Sequence, residues 1–284
     1  MTDSATAQPR LIDLRHLGRE RVIGAWLVGD VLVDPGPGST LEAMLAGLGG
    51  QAPRVIALTH IHLDHAGATG ALVERFPEVE VWVHERGAAH LVDPERLLTS
   101  AARLYGDDMD RLWGQTLPVP AERLRVLHGG ERLDGFEVAY TPGHASHHVA
   151  YRHVASDHAF TGDAAGVRIG KGHVLAPTPP PDIDLEAWRE SLQRVAAWRP
   201  GVICPTHFGA YGDVDDHLRE IRIRLDEAGE LAESLGEADF VAAIRARAAD
   251  GVDAETAAAY EQAMPPEQCF AGLVRYLRRR ERAA

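Results

Sequence analysis

Cysteine is nearly absent from this chain: Cys204 and Cys269 are the only two in 284 residues, so no disulfide framework holds the fold. Basic residues fall short of acidic ones, 29 against 42, which gives a formal net charge of −13 with histidine neutral. Proteins that grip polyanions cluster Lys and Arg against phosphates, so nucleic acid is disfavoured as the main partner. Long apolar runs are also missing. None approaches the roughly 20 residues of a spanning helix, and Met1 to Arg10 is polar, without a signal-peptide core. These absences point to a soluble, cytoplasmic protein with no membrane partner.

Histidine is what the chain has in excess, with fifteen residues. Their placement follows the strand pattern. Val22 to Val28 and Val31 to Val33 flank Gly29-Asp30, a hairpin signal, and Asp34-Pro35-Gly36-Pro37-Gly38 then stops the second run. Ser39 or Thr40 is placed to cap a helix through Leu48, closed by Gly49-Gly50. Further strands are expected at Val55 to Leu58, Val79 to Val83, Phe136 to Tyr140, Val149 to His153, His158 to Thr161 and Val202 to Cys204. Glu85 to about Leu117 reads helical, with Pro94 in a first turn, and forms either a substrate wall or a packing layer. Asp184 caps a helix carrying Leu185, Trp188, Leu192 and Val195. Beyond about Asp213 the pattern is helical, with Leu218, Ile221, Leu225 and Ala228 on one stripe. That stripe needs burial against the rest of the chain or in a homodimer. The expected division is 1–213 as one domain and 214–284 as an appended helical region.

The Val55 run leads directly into Thr59-His60-Ile61-His62-Leu63-Asp64-His65. Strand alternation puts His60 and His62 on one side, and the following turn can swing Asp64 and His65 toward a neighbouring point. Four ligand-type side chains packed this closely crowd one tetrahedral ion but can be divided between two. Three more segments repeat the local form, a ligand-type residue in the loop after a strand: Thr141-Pro142-Gly143-His144, Thr161-Gly162-Asp163 and Pro205-Thr206-His207. Histidine without thiolate suits a catalytic site, since structural zinc more often uses several cysteines. Two divalent ions, two carboxylates and a bridging hydroxide would leave about one positive charge to meet an anionic group or a developing oxyanion.

On these residues the chain resembles the metallo-β-lactamase-fold hydrolases, whose motif H-x-H-x-D-H is matched by His60, His62, Asp64 and His65, followed in order by His144, Asp163 and His207. The resemblance covers roughly residues 20–210. It implies an α+β, four-layer αβ/βα sandwich with the appended C-terminal helical region. It implies two metal ions, zinc foremost with manganese or iron as alternatives. His60, His62 and His144 would hold one, Asp64, His65 and His207 the other, and Asp163 would bridge them. The activity implied is hydrolysis by a metal-bridging hydroxide, with Asp64 and Asp163 as catalytic carboxylates. The contexts TPGHASHH, FTGD and PTHFG are most similar to the glyoxalase II-like branch, hence a thioester or ester substrate. Three other readings remain: a lactonase using Tyr105, Tyr140 or Tyr211, a phosphodiesterase, and a persulfide dioxygenase-like enzyme with one iron on His60, His144 and Asp163. A partner-binding scaffold on a vestigial metal fold would have lost ligands, and none is lost.

Other residues are weighed individually. His148, four residues after His144, is placed to orient a neighbouring ligand or loop. His147 is expected at the surface, and His16, His84, His90, His128, His153, His158, His173 and His217 are expected to be ordinary polar or packed residues. Arg103, Tyr105 and Trp113 could line a substrate pocket, Arg168 could meet a substrate carboxylate, and Phe208 could form an apolar wall. Cys204 reads as buried. The terminal arginines Arg275, Arg278, Arg279, Arg280 and Arg282 suit a helix C-terminus.

Overall fold

A computed structural model describes residues 7–283. The first six residues of the polar start lie outside that range. Two sheets form its centre. The first has the order β1 (Arg10–Asp13), β2 (Gly24–Val28), β3 (Val31–Val33), β4 (Val55–Ala57), β5 (Glu80–His84) and β6 (Leu124–Leu127). β1 to β3 run antiparallel and β3 to β6 parallel. The second has the order β11 (Val202–Pro205), β10 (His158–Gly162), β9 (Val149–His153), β8 (Phe136–Tyr140) and β7 (Arg132–Leu133), antiparallel except for the β10–β11 pair.

Strand alternation builds the layers. Trp26, Val28, Val31, Val33, Val55, Ala57 and Trp82 turn inward to meet Phe136, Val138, Val149, Tyr151, Phe160 and Cys204, all buried between the sheets. The alternate residues Leu27, Leu32, Ile56 and Val81 pack outward under α1 (Leu41–Leu48), with Met44 and Leu48, and α3 (Thr69–Arg75), with Leu72. On the other sheet Ala150 and Ile203 face α7 (Leu185–Ala197), whose Trp188, Leu192 and Val195 are buried. The result is helix, sheet, sheet, helix, the expected four layers. Two caps differ in quality. Asp184 accepts from Ala187 N at 3.0 Å, a true N-cap bond, whereas Thr40 turns its hydroxyl back to Pro37 O and caps nothing.

Between β5 and β6 the insertion resolves into α4 (Glu85–Val92), α5 (Glu95–Tyr105) and α6 (Met109–Trp113). The tail is α8 (Val214–Ser234), α9 (Glu237–Ala249), α10 (Ala254–Ala263) and α11 (Pro266–Ala283). The Leu218, Ile221, Leu225 and Ala228 stripe is buried within the chain, and Phe240, Tyr260 and Leu273 join the same apolar cluster. Each such large side chain contributes about 2 kcal/mol by leaving water. Arg275 and Arg279 donate to Pro181 O and Ile183 O, tying α11 to the proline loop. Among the described residues no helix is long and apolar enough to cross a membrane.

The α8 contact carries a pH dependence. His217 Nε2–H donates to Ala165 O at 2.8 Å, and burial lowers this imidazole from its ordinary 6.5 to about 4. The unfolded chain therefore binds a proton below pH 6.5 that the native state refuses until about pH 4. Stability should fall across that window, by up to about 3 kcal/mol from this group alone. Urea unfolding of His217→Asn at pH 7 and 4.5 should show a smaller acid loss than the parent. An equal loss would remove His217 from the account.

Candidate metal centre

All seven ligand-type residues, and one more, sit just past the C-terminal ends of strands that share one edge of the sandwich. Asp34 follows β3. The His60–His65 segment follows β4 and enters α2 (Leu63–Ala66). His144 follows β8, Asp163 follows β10 and His207 follows β11, strands that run in one direction in the second sheet. Two glycines make the approach tight. Gly143 has φ +135°, and a Cβ there would lie 2.4 Å from Trp188 Cα. Gly162 has φ +49°, and a Cβ would lie 2.4 Å from Thr59 Oγ1. The β10–β11 register shifts at that point and redirects the chain toward Asp163.

The side chains converge. His62 Nδ1 lies 3.0 Å from both His60 Nε2 and His144 Nε2. His207 Nε2 and His65 Nε2 lie 3.3 and 3.7 Å from Asp64 Oδ2. Asp163 stands between the two groups: Oδ2 is 3.2 Å from His144 Nε2, and Oδ1 is 3.2 Å from His65 Nε2 and 3.6 Å from His207 Nε2. Three trios have ligand atoms within 4.8 Å of one another: His60/His62/His144, His60/His65/Asp163 and Asp64/His65/His207. The first and last are the two sets the sequence resemblance implies.

The far ring nitrogens decide the tautomers. His144 Nδ1 donates to Pro177 O at 2.8 Å, His207 Nδ1 to Val22 O at 2.7 Å, and His65 Nδ1 to Asp34 Oδ2 at 2.8 Å. Thr59 spends its hydroxyl proton on Asp34, so its oxygen accepts from His60 Nδ1 at 3.1 Å. Each of these four imidazoles thus presents an Nε2 lone pair to the centre. His65 Nε2, His207 Nε2 and Asp163 Oδ1 are buried without a hydrogen-bond partner. Nitrogen lone pairs and carboxylate oxygens aimed at common points, with no donor between them, are a donor set that fits divalent cations.

Electrostatics agree. Burial pushes His60, His62 and His144 below their ordinary value, His62 to about 4, which keeps them neutral near pH 7 with a lone pair free for a cation. Burial opposes ionisation of Asp64 and Asp163, yet the facing His65 and its neighbours outweigh it and hold both carboxyls down. For His65 and His207 burial works downward, and Asp163 and Asp64 overcome it, so both are raised. A cation held by these residues would require both rings to be neutral.

The sequence reading missed Asp34. Fully buried, it accepts from Thr59 N at 2.8 Å, Thr59 Oγ1 at 2.7 Å, Thr206 Oγ1 at 2.8 Å and His65 Nδ1 at 2.8 Å. Four donors suit an acceptor-only carboxylate. Its charge cancels the single positive charge left by the earlier count. Asp34 locks the β4 loop, the β11 loop and His65 to one another. The Asp34-Pro35-Gly36 signal reads as a strand breaker and gives no hint of this.

The remaining residues divide. His148 accepts from Asp163 N at 3.3 Å while its Nδ1 bonds Thr141 Oγ1 at 2.8 Å, so it holds the Asp163 loop as expected. His147 is buried, contrary to expectation, because its ring stacks 6.1 Å from His60 and its Nδ1 accepts from Ile61 N. Arg168 does not reach toward a substrate: it pairs with Asp213 at 2.9 Å and lies 4.3 Å over the Tyr211 ring. Phe208 packs beside Gly24 and is not among the residues that line the cavity. Arg103 is exposed and also off the cavity, whereas Tyr105 and Trp113 line it. Tyr140 and Tyr211 spend their hydroxyls on Ser146 O and Arg168 O. His16 does line the cavity, stacked 5.5 Å from Trp113. Cys204 is buried between the sheets.

Residues 21–207 match the family described as the metallo-beta-lactamase superfamily. The metallo-beta-lactamase fold-containing protein ST1585 of Sulfurisphaera tokodaii is 31% identical over 195 residues, 63% of this chain and 73% of the relative. A crystal structure of ST1585 superposes with a TM-score of 0.69 over 94% of this chain and 98% of that one, at 22% identity. The hydroxyacylglutathione hydrolase of Xanthomonas campestris is 33% identical over 62% of this chain, which spans 55% of that relative's length. A structure described as TTHA1623 in a di-iron-bound form matches with a TM-score of 0.55 and 30% identity, over 71% of this chain and 94% of that one.

Proposed function

The chain belongs to the metallo-beta-lactamase superfamily, whose members are generally metal-dependent hydrolases, and from that premise we propose that it hydrolyses a thioester or ester bond of a small molecule at a dinuclear metal centre. His60, His62 and His144 would hold one cation, Asp64, His65 and His207 the other, and Asp163 would touch both. Two divalent ions so held would supply Lewis acidity and a water of lowered pKa. The observation that carries the reading is the inward convergence of these donors around Asp163, with their outer nitrogens already committed.

The chain's own residues do the rest. Asp34, Pro177 O, Val22 O and Thr59 fix the imidazole rings before any substrate arrives, so no reorganisation is needed at the reacting bond. Asp64 is about one-fifth exposed toward the cavity, unlike the other carboxylates. It is therefore the group placed to take a proton and pass it to a departing thiolate or alkoxide. Zinc is the metal we favour from the nitrogen and oxygen donors, with iron next, given the di-iron relative. We retain residues 1–213 as the catalytic unit, with the tail completing its cavity.

A panel of neutral thioesters and esters tests this. Turnover should drop at least about 100-fold on chelation and return with zinc or iron. Turnover indifferent to chelation, or none with the metal-loaded protein, would contradict the reading.

A further inference from the structure

The cavity that opens onto the centre has a volume of about 310 Å³ and takes its walls from four separate parts of the chain: the loop after β1, helices α5 and α6, the proline loop 177–181, and the α10–α11 turn. Leu97, Ala101, Leu104, Trp113, Pro180 and Met264 give it an apolar face. Most of the polar groups on that face are already spent, Ser100 and the Gln268 amide nitrogen being the exceptions. His16 Nε2–H donates to Leu112 O at 2.8 Å and its Nδ1 accepts from Gln262. Tyr105 donates to Gln268 Oε1 at 3.2 Å. Trp113 Nε1 is unpaired but shielded, so this residue offers its ring and not a donor. No Lys or Arg is among the described lining residues, while Asp64, Asp108 and Asp163 are. At the rim Arg111 is tied to Asp108 at 2.8 Å. An anionic group lying along this wall would shed water and meet no cation, with only the Ser100 hydroxyl and the Gln268 amide to hydrogen-bond it.

We propose that the wall selects substrates whose acyl arm is neutral and apolar and excludes arms that carry an anion. This rests on the hydrolytic reading for the word substrate, though the wall's preference is measurable without turnover. The two helical additions, α5–α6 and α10–α11, meet over the centre through the Tyr105–Gln268 bond. The selecting surface is therefore built from parts of the chain that carry none of the metal-ligand motif.

Calorimetric titration of the metal-loaded protein with octanamide, and with the same amide ending in a sulfonate, tests it. A sulfonate is a weak metal ligand, so it reports the wall and not the centre. Octanamide should bind at least about tenfold more tightly. Leu104→Arg, at a position 42% exposed and therefore tolerant of charge, should narrow or reverse that ratio. Ser100→Arg, on the same exposed wall, is the second variant and should act in the same direction. Equal binding of the two amides by the parent would overturn the proposal, as would an unchanged ratio in both folded variants. Octyl-chain preference without hydrolysis of the matching esters would leave this selection standing and remove the hydrolytic reading instead.

Discussion

Replacing Asp163 by asparagine is expected to lower kcat/KM by on the order of 1,000-fold or more, since residues that act as one unit are lost together. Its two oxygens face different sets, Oδ2 toward His144 and Oδ1 toward His65 and His207. An amide keeps one acceptor and turns an NH₂ toward an imidazole lone pair on the other side. Neither orientation serves both sets. The same variant should retain fewer metal equivalents after dialysis, and should do so without loss of fold, because Asp163 N still bonds His148. Activity within about tenfold of the parent would show that the carboxylate does not join the two sets.

Asp34→Asn should also be damaging, to a lesser degree, although Asp34 touches neither substrate nor the central cavity. Its Oδ2 accepts from Thr59 Oγ1, His65 Nδ1 and Thr206 Oγ1, and its Oδ1 accepts from Thr59 N. An asparagine NH₂ must face either the three side-chain donors or the backbone N–H. Set against His65 Nδ1, it drives the ring proton to Nε2 and removes the lone pair that faces Asp64 and Asp163. Metal affinity or kcat/KM should fall about 10- to 100-fold, the usual cost of losing the group that orients a ligating histidine. Asp34→Ala should also destabilise the metal-free protein by about 3–5 kcal/mol, because buried partners are left unpaired. Denaturant unfolding with and without metal separates the two effects. Wild-type metal retention in Asp34→Asn would refute the tautomer argument.

How far the sequence was legible follows from how local each signal is. The His60–His65 cluster is readable because four ligand types fall in one short segment after a buried strand. His144, Asp163 and His207 repeat that form beside glycine or proline. The four layers follow because the central strands alternate or are wholly apolar. β1 (Arg10–Asp13), β6 and β7 escaped notice for the opposite reason. They lie at sheet edges, and the Leu124–Leu127 strand exposes its middle residues, so little hydrophobic pattern is needed there. Asp34 depends on partners 25, 31 and 172 residues away, which no local pattern reports. The burial of His147 and the internal pairing of Arg168 are tertiary in the same sense. The cavity wall is the extreme case, since Tyr105 and Gln268 are 163 residues apart in the chain and joined only by the fold.

Asp163 is proposed to join two cation sites, and metal content per chain is the most direct test of that role. Protein purified without added metal and analysed by elemental methods should contain about two equivalents of divalent metal, as zinc, iron or a mixture. Asp163→Asn, prepared in parallel, should contain markedly less. One equivalent of iron alone in the parent, with oxygen uptake on persulfides and no ester hydrolysis, would contradict the dinuclear account.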